Sequence, residues 1–318
     1  MPPPAKGSSL AGSLRIFGVA GISVYVHWSW VLVAYLIFQI RRKDYDLWVW
    51  SVAEYLSLFA IVLLHEFGHA LACRQVGGRA DEIVLWPLGG IAFVDPPPRP
   101  GAVLWSIAAG PLVNFVLIPF TVGAYIAASS QGLKEANPDA DHFLLAIMVL
   151  NLGLLIFNML PIYPLDGGQI VQALLWFVIG RANSLLVVSV LGMIAGVAVV
   201  ALALLASAWW YVLLALFVAF RCWVGFRQAR LLARLESAPR HRDAACPSCN
   251  AHPLKGPFWK CGECHARFDA FTHQAECPGC GSRSPTTACP ECLRAHPIWA
   301  WYESDEAPAR EWDEPERR

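Results

Sequence analysis

Charge is what this chain has least of. Of its 318 residues only 24 are Lys or Arg and 24 are Asp or Glu, which is 15% of the chain and a formal net charge of zero. A soluble domain carries roughly a quarter charged residues. The even balance excludes the broad positive field that nucleic-acid binding uses. No signal-peptide cleavage pattern precedes the first apolar run, and residues 1–15 read as a short disordered leader. The apolar part shows no internal repeat. What is abundant is hydrocarbon: 56% of residues are hydrophobic and mean hydropathy is +0.46. Apolar runs longer than about 18 residues recur between residues 22 and 226, which predicts a polytopic helical membrane protein.

Six spans are expected, at about 22–40, 48–75, 102–127, 142–160, 185–207 and 209–226. The second is longer than a bilayer core of roughly 30 Å requires, so it tilts or projects. Residues 83–93 alternate instead around a Pro/Gly turn and read as a β-hairpin. Strand edges at membrane depth are tolerated only where protein or a water-filled cavity receives them. Pro161 and Pro164, followed by Gly167 and Gly168, break the chain after the fourth span. A short helix resumes over 169–180 and is not counted; counting it gives seven spans and moves the tail to the other side. The Lys/Arg distribution places the amino terminus and the carboxyl tail in the cytoplasm, against the pull of Arg41-Arg42-Lys43. The fold class expected is an all-α polytopic membrane protein of about six helices. It carries a membrane-associated hairpin and a small cytoplasmic zinc-ribbon domain.

His65-Glu66-Phe67-Gly68-His69 lies inside the second span. On a helix, residues four apart sit about 40° apart around the axis and roughly 6 Å along it. Two imidazoles on that face can share one Zn²⁺, with Glu66 beside them as a general base for a metal-bound water. Catalytic zinc usually takes three protein ligands and keeps one open position. Asp166, a carboxylate in an apolar stretch of broken helix, is the best third ligand, because a cation removes the cost of its burial. The alternatives are that Asp166 caps the helix beginning at Gly167, and that the two histidines are satisfied by neighbouring helices. Asn114, Asn151 and Asn158 must each find hydrogen-bond partners in apolar helices. Asn158 is either interhelical glue or an amide that holds substrate or an oxyanion, close enough in sequence to Asp166 to share the site, and Asn151 reads as interhelical glue. Asn114 is either glue or an amide that holds substrate or an oxyanion. Glu54, about 16 Å along the helix from His65, reads as solvated near the outer interface, and His27 as an interfacial residue. Cys73 and Cys222 read as small buried apolar groups.

The other eight cysteines form four C-x-x-C knuckles: Cys246/Cys249, Cys261/Cys264, Cys277/Cys280 and Cys289/Cys292. Such knuckles argue for thiolates on zinc in a reducing compartment rather than for disulfides. Two structural Zn²⁺ ions are expected. The first knuckle is paired with the second and the third with the fourth, with Phe268 and Trp299 covering the sites; a nested pairing is the alternative. Residues 244–300 are too few for a large core, so zinc supplies folding energy. The near-neutral charge of this stretch, and the acidic tail over 301–318, disfavour nucleic acid and favour a protein docking partner.

Together these residues resemble the site-2 protease family of intramembrane zinc metalloproteases over roughly 16–235. The resemblance rests on Val26-His27-Trp28-Ser29-Trp30, on His65 to His69, on Trp86-Pro87-Leu88-Gly89-Gly90, on Gly110-Pro111-Leu112-Val113-Asn114 and on Asn158 to Gly168. It implies one catalytic Zn²⁺ on His65, His69 and Asp166, Glu66 as general base, and Asn158 as a substrate or transition-state contact. It also implies that the 83–93 hairpin offers an edge to an unwound substrate. The substrate implied is a single-span membrane protein in the lipid bilayer, cut in or near its transmembrane segment in regulated intramembrane proteolysis. The loop over 128–141 is too short for the PDZ domain that many relatives carry, and cysteine knuckles stand where others have a CBS pair. Two non-enzymatic alternatives remain at this stage, a zinc-binding membrane protein and a membrane-tethered interaction module built on the knuckles.

Overall fold

The computed structural model describes residues 12–302, apart from 42, 87, 88 and 293. The leader expected over 1–15 lies outside the described residues up to residue 11, and the acidic tail does so from residue 303. The chain divides into two compact units, one ending at Ala233 and the other beginning at Arg234.

The first unit opens with strands β1 (Ser13–Val19) and β2 (Ile22–His27), followed by α1 (Ser29–Arg41) and α2 (Trp48–Gln75). Strands β3 (Arg79–Trp86) and β4 (Gly89–Asp95) come next, then α3 (Pro100–Ser130) and the short α4 (Leu133–Ala136). It closes with α5 (Pro138–Asn158), α6 (Asp166–Ile179), α7 (Arg181–Leu205) and α8 (Trp209–Glu236). Among the described residues five helices are long and apolar enough to cross a membrane: α2, α3, α5, α7 and the Tyr211–Glu236 part of α8. The protein is thus a multi-pass membrane protein.

Two expectations are corrected here. The span expected at 22–40 is a strand followed by a helix of 13 residues, about 20 Å long and short of a bilayer core. The β-branched residues that lengthened the apparent span alternate, so Ile22 and Val24 are buried on one face of β2, and His27 at its end is buried on the other. The fold is also not all-α. The expected hairpin is present as β3 and β4, but it belongs to a four-stranded sheet in the order β1-β2-β3-β4. In it β2 runs parallel to β3, with Val24 opposite Ile83, while both outer pairs are antiparallel. β1 takes up the residues assigned to the end of the leader. Ile22, Val24, Ile83 and Leu85 form one buried cluster with Val62, Ala70 and Cys73 of α2, and so fix the sheet against the helix that carries the HExxH motif.

Glu54 is also not solvated. It is buried, and it accepts hydrogen bonds from Arg41 Nε and Nη2 at 3.0 Å and from Tyr45 Oη at 2.7 Å. Arg41, the basic residue that ends α1, is therefore paired with a buried carboxylate. Removing one partner of such a pair leaves the other charge uncompensated. Glu54→Ala is expected to cost about 2–3 kcal/mol, less than for a fully buried pair because Arg41 keeps part of its side chain exposed. Thermal unfolding in detergent checks this, and the double variant Arg41→Met/Glu54→Leu should recover most of the loss. Equal stability of Glu54→Ala and the parent would refute it.

In the second unit, β5 (Trp259–Lys260) pairs with β6 (Arg267–Phe268), and β7 (Thr286–Ala288) with β8 (Ala295–Pro297). A 3-10 turn over Ile298–Trp301 follows. Phe268, Phe271, Ile298 and Trp301 form the small core. Phe268 is buried as expected, but Trp299 is 53% exposed and Trp301 fills the core instead. Asp269 ties the unit together by accepting from the backbone N–H of Gly256, Phe271 and Thr272, with His241 Nε2 at 3.0 Å from its carboxylate. Burial opposes ionisation of Asp269, yet these donors hold its carboxyl below the usual value.

Candidate metal centres

His65, Glu66 and His69 are buried on α2, and Asp166 is buried at the first position of α6. The close approach that brings α2 to α3 depends on two glycines. A Cβ on Gly68 would lie 2.7 Å from the Ala109 carbonyl oxygen, and one on Gly110 would collide with the His69 imidazole ring. At the start of α6, side chains on Gly167 and Gly168 would strike the backbone of residues 159–163. The two Gly-containing motifs therefore exist to let backbone come up against the site.

The three side chains converge. His65 Nε2 lies 3.0 Å and His69 Nε2 3.4 Å from Asp166 Oδ2, and the two Nε2 atoms are 3.1 Å apart. Their opposite ring nitrogens are already engaged. His69 Nδ1 donates to the Ser106 carbonyl at 2.9 Å, and His65 Nδ1 donates to Asn114 Oδ1 at 2.5 Å. Asn114 is fixed in that orientation because its Nδ2 donates to Asn151 Oδ1 at 2.9 Å, while Asn151 Nδ2 donates to the Asn114 carbonyl at 3.1 Å. Both imidazoles thus carry their proton on Nδ1, and two Nε2 lone pairs face a carboxylate oxygen. Three acceptors pointed at one another need a cation between them. For metal–nitrogen bonds of 2.0–2.1 Å, a tetrahedral site has ligand–ligand edges of about 3.3 Å, close to the distances present.

Asn114 and Asn151 are completely buried, and they fix the His65 imidazole through the ring nitrogen that faces away from Asp166. The interhelical glue expected of Asn151, and as one of two readings of Asn114, is what the structure shows, since the pair joins α3 to α5. The contact of Asn114 with His65 is the part that sequence reasoning did not find, and the available signal is that Asn114 falls four residues after Gly110, one turn further along the same face of α3. Asn158 ends α5, half-buried, and its side chain makes no hydrogen bond among the described residues. His27 is stacked on Trp86 with ring centroids 4.1 Å apart, away from the metal ligands in the sheet. Cys73 and Cys222 are fully buried, as expected.

The knuckles form two further groups, and the sequential pairing is corrected. Cys246 and Cys249 meet Cys289 and Cys292, while Cys261 and Cys264 meet Cys277 and Cys280. Sulfur–sulfur distances across the groups are 3.7 Å in the outer set and 3.6 Å in the inner set. A tetrahedron with Zn–S bonds of 2.3 Å has edges of about 3.8 Å, and a disulfide would need about 2 Å. The chain closes the outer set physically: the Ala245 N–H donates to the Trp301 carbonyl at 2.7 Å, and Ser248 Oγ lies 2.8 Å from His296 Nε2. Backbone N–H groups of Cys264 and Glu263 lower Cys261 to about 6. At Cys246 burial acts the other way, but the amides of Ser248 and Cys249 prevail and bring it to about 7. One thiol of each set is thus easier to deprotonate than a free cysteine.

The description of peptidase family M50 matches residues 53–136 and 119–203, ranges that hold His65, Glu66 and His69 in the first and Asp166 in the second. Over residues 53–203, just under half of its length, the chain is thus similar to peptidase family M50. It is 33% identical over 163 residues to a zinc metalloprotease of Methanocaldococcus jannaschii, covering 51% of this chain and 45% of that one. Stage IV sporulation protein FB of Bacillus subtilis is 32% identical over 120 residues, 36% of this chain and 38% of its own. The chain thus spans less than half the length of these curated relatives. The solved site-2 protease of M. jannaschii matches at 26% identity with a TM-score of 0.48, covering 68% of this chain and 95% of that one.

Proposed function

We propose that this chain is an intramembrane zinc metalloendopeptidase that hydrolyses a peptide bond in or near the transmembrane segment of a single-span substrate. The observation that carries the reading is the convergence of His65 Nε2, His69 Nε2 and Asp166 Oδ2 with both imidazole tautomers already fixed. Those three residues hold the ion, which when bound supplies Lewis-acid polarisation of a water and of the scissile carbonyl. Glu66, next to His65 on the buried face of α2, takes the proton of the attacking water and later delivers it to the leaving amine nitrogen. Asn114 keeps His65 in the tautomer that leaves Nε2 free. Asn158, half-buried and eight residues before Asp166, contacts the substrate backbone or the developing oxyanion.

A transmembrane helix must unwind before its peptide bond is exposed. The outer edge of β4, the last strand of the sheet, receives the unwound stretch and replaces the hydrogen bonds it lost. The amino terminus and the cysteine module face the cytoplasm, where two structural Zn²⁺ ions stay on reduced thiolates, and the module docks a protein partner. The product is a fragment released into the cytoplasm.

The test is cleavage of a panel of tagged single-span substrates in membranes before and after zinc is stripped by a chelator and restored. Cleavage that falls with the metal and returns with Zn²⁺ supports the reading. Cleavage that persists after the His65 ion has gone sinks it.

A further inference from the structure

Asp166 is the one metal-site residue that does not sit on α2, and something must hold it there. The segment ahead of it, residues 159–165, is neither helix nor strand and is tied by turn hydrogen bonds alone, among them Ile162 N–H to the Leu160 carbonyl and Leu165 N–H to the Ile162 carbonyl, which leave the Tyr163 carbonyl to a partner outside the segment. Tyr163 lies three residues before Asp166 and is packed from the other side by α7 and α8. The Cys222 thiol donates to the Tyr163 carbonyl at 2.8 Å. A Cβ on Gly225 would lie 2.9 Å from the Tyr163 ring and 2.7 Å from Ser189 Oγ. Tyr163 also packs against the buried cluster that Leu185 and Val188 of α7 form with Ala229 of α8. Gly192 completes the fit, since a Cβ there would run into the Cys222 sulfur and approach the Tyr163 carbonyl to 3.4 Å.

On its inner side Tyr163 meets the start of α6 without any intervening side chain. A Cβ on Gly168 would overlap the Tyr163 backbone nitrogen. A shift of Tyr163 is therefore passed directly to the first turn of α6, where Asp166 is the first residue. Side chains could absorb such a shift by changing rotamer; backbone against backbone cannot.

We propose that Tyr163, braced by Cys222 and Gly225 of α8, is a positioning residue that sets the place of the Asp166 carboxylate against His65 and His69. This rests on the reading of those three residues as the catalytic zinc site. Groups that orient a metal ligand typically change metal affinity or turnover by roughly 10- to 100-fold when removed. The brace acts on the ligand rather than on substrate binding, so its loss lowers kcat and leaves KM in place.

The experiment uses full-length protein in lipid nanodiscs and reads two quantities, zinc exchange at each site and the kcat and KM for a cleaved single-span substrate. Gly225→Ala and Cys222→Ala are expected to speed exchange of one of three ions by roughly tenfold or more and to lower kcat by a similar factor. Cys222→Ser, which still donates to the Tyr163 carbonyl, should restore most of both. Gly153→Ala, where a Cβ meets nothing within 4 Å, serves as the unchanged control. Wild-type exchange and kcat in both Ala variants would overturn the proposal. So would loss of all three ions together with helicity, which would make α7 and α8 supports of the fold alone. A parent protein that holds only the two module ions would instead refute the zinc reading of His65, and the brace with it.

Discussion

Glu66→Gln should abolish cleavage while the protein keeps all its zinc. Gln matches Glu in shape and volume, so α2 keeps its packing against α3 and the sheet. The ligands His65, His69 and Asp166 are untouched, and so are the contacts that fix their tautomers. What is lost is the ability of the position 66 side chain to accept a proton from water and return it to the amine. A general base at the reacting proton contributes roughly 100- to 10,000-fold, and here one group serves both transfers, so the upper end is expected. The matched variant His65→Ala should fail in a different way, losing one zinc ion as well as activity. Zinc content by mass spectrometry and the rate of substrate cleavage separate the two. Equal cleavage by parent and Glu66→Gln would remove Glu66 from the mechanism.

The triad was legible because its signals are local. An HExxH spacing fixes two ligands on one helix face, and Asp166 stands out as a carboxylate among Pro and Gly in an apolar stretch. Asn114 was harder to see. Its role depends on the distance between α2 and α3, which is set by Gly68 and Gly110 meeting backbone and ring, and no single window of sequence contains that contact. The first expected span differs from the structure because a run of β-branched apolar residues fits a strand and a membrane helix equally well until its pairing partner is known. For β2 that partner is β3, more than fifty residues away, and the pairing is parallel. Glu54 was placed in solvent for a similar reason, since its burial comes from Arg41 and Tyr45 folding back over α2.

The knuckle pairing failed for a symmetry reason, and the difference between the two pairings can be measured by counting ions. Each half of the module repeats the same C-x-x-C spacing, so sequence alone cannot choose between neighbours and nested partners. The choice is made by the return of the chain, in which the carbonyl of Trp301 meets the amide of Ala245 and sets the first knuckle beside the last. A variant with Cys246, Cys249, Cys289 and Cys292 all changed to Ser should therefore lose a single ion. The inner site and the His65 site stay complete, so two ions per chain remain of three. Sequential pairing would instead break both cysteine sites and leave one. The effect on the module is large, because structural zinc contributes on the order of 10 kcal/mol of apparent binding free energy to folds that have little core of their own. The outer set holds the first knuckle to the end of the chain, so its loss should open protease sites around residues 237–250 while the β5–β6 hairpin stays protected. A count of one ion per chain would restore the sequential arrangement, and a count of three would show that these four sulfurs bind no zinc.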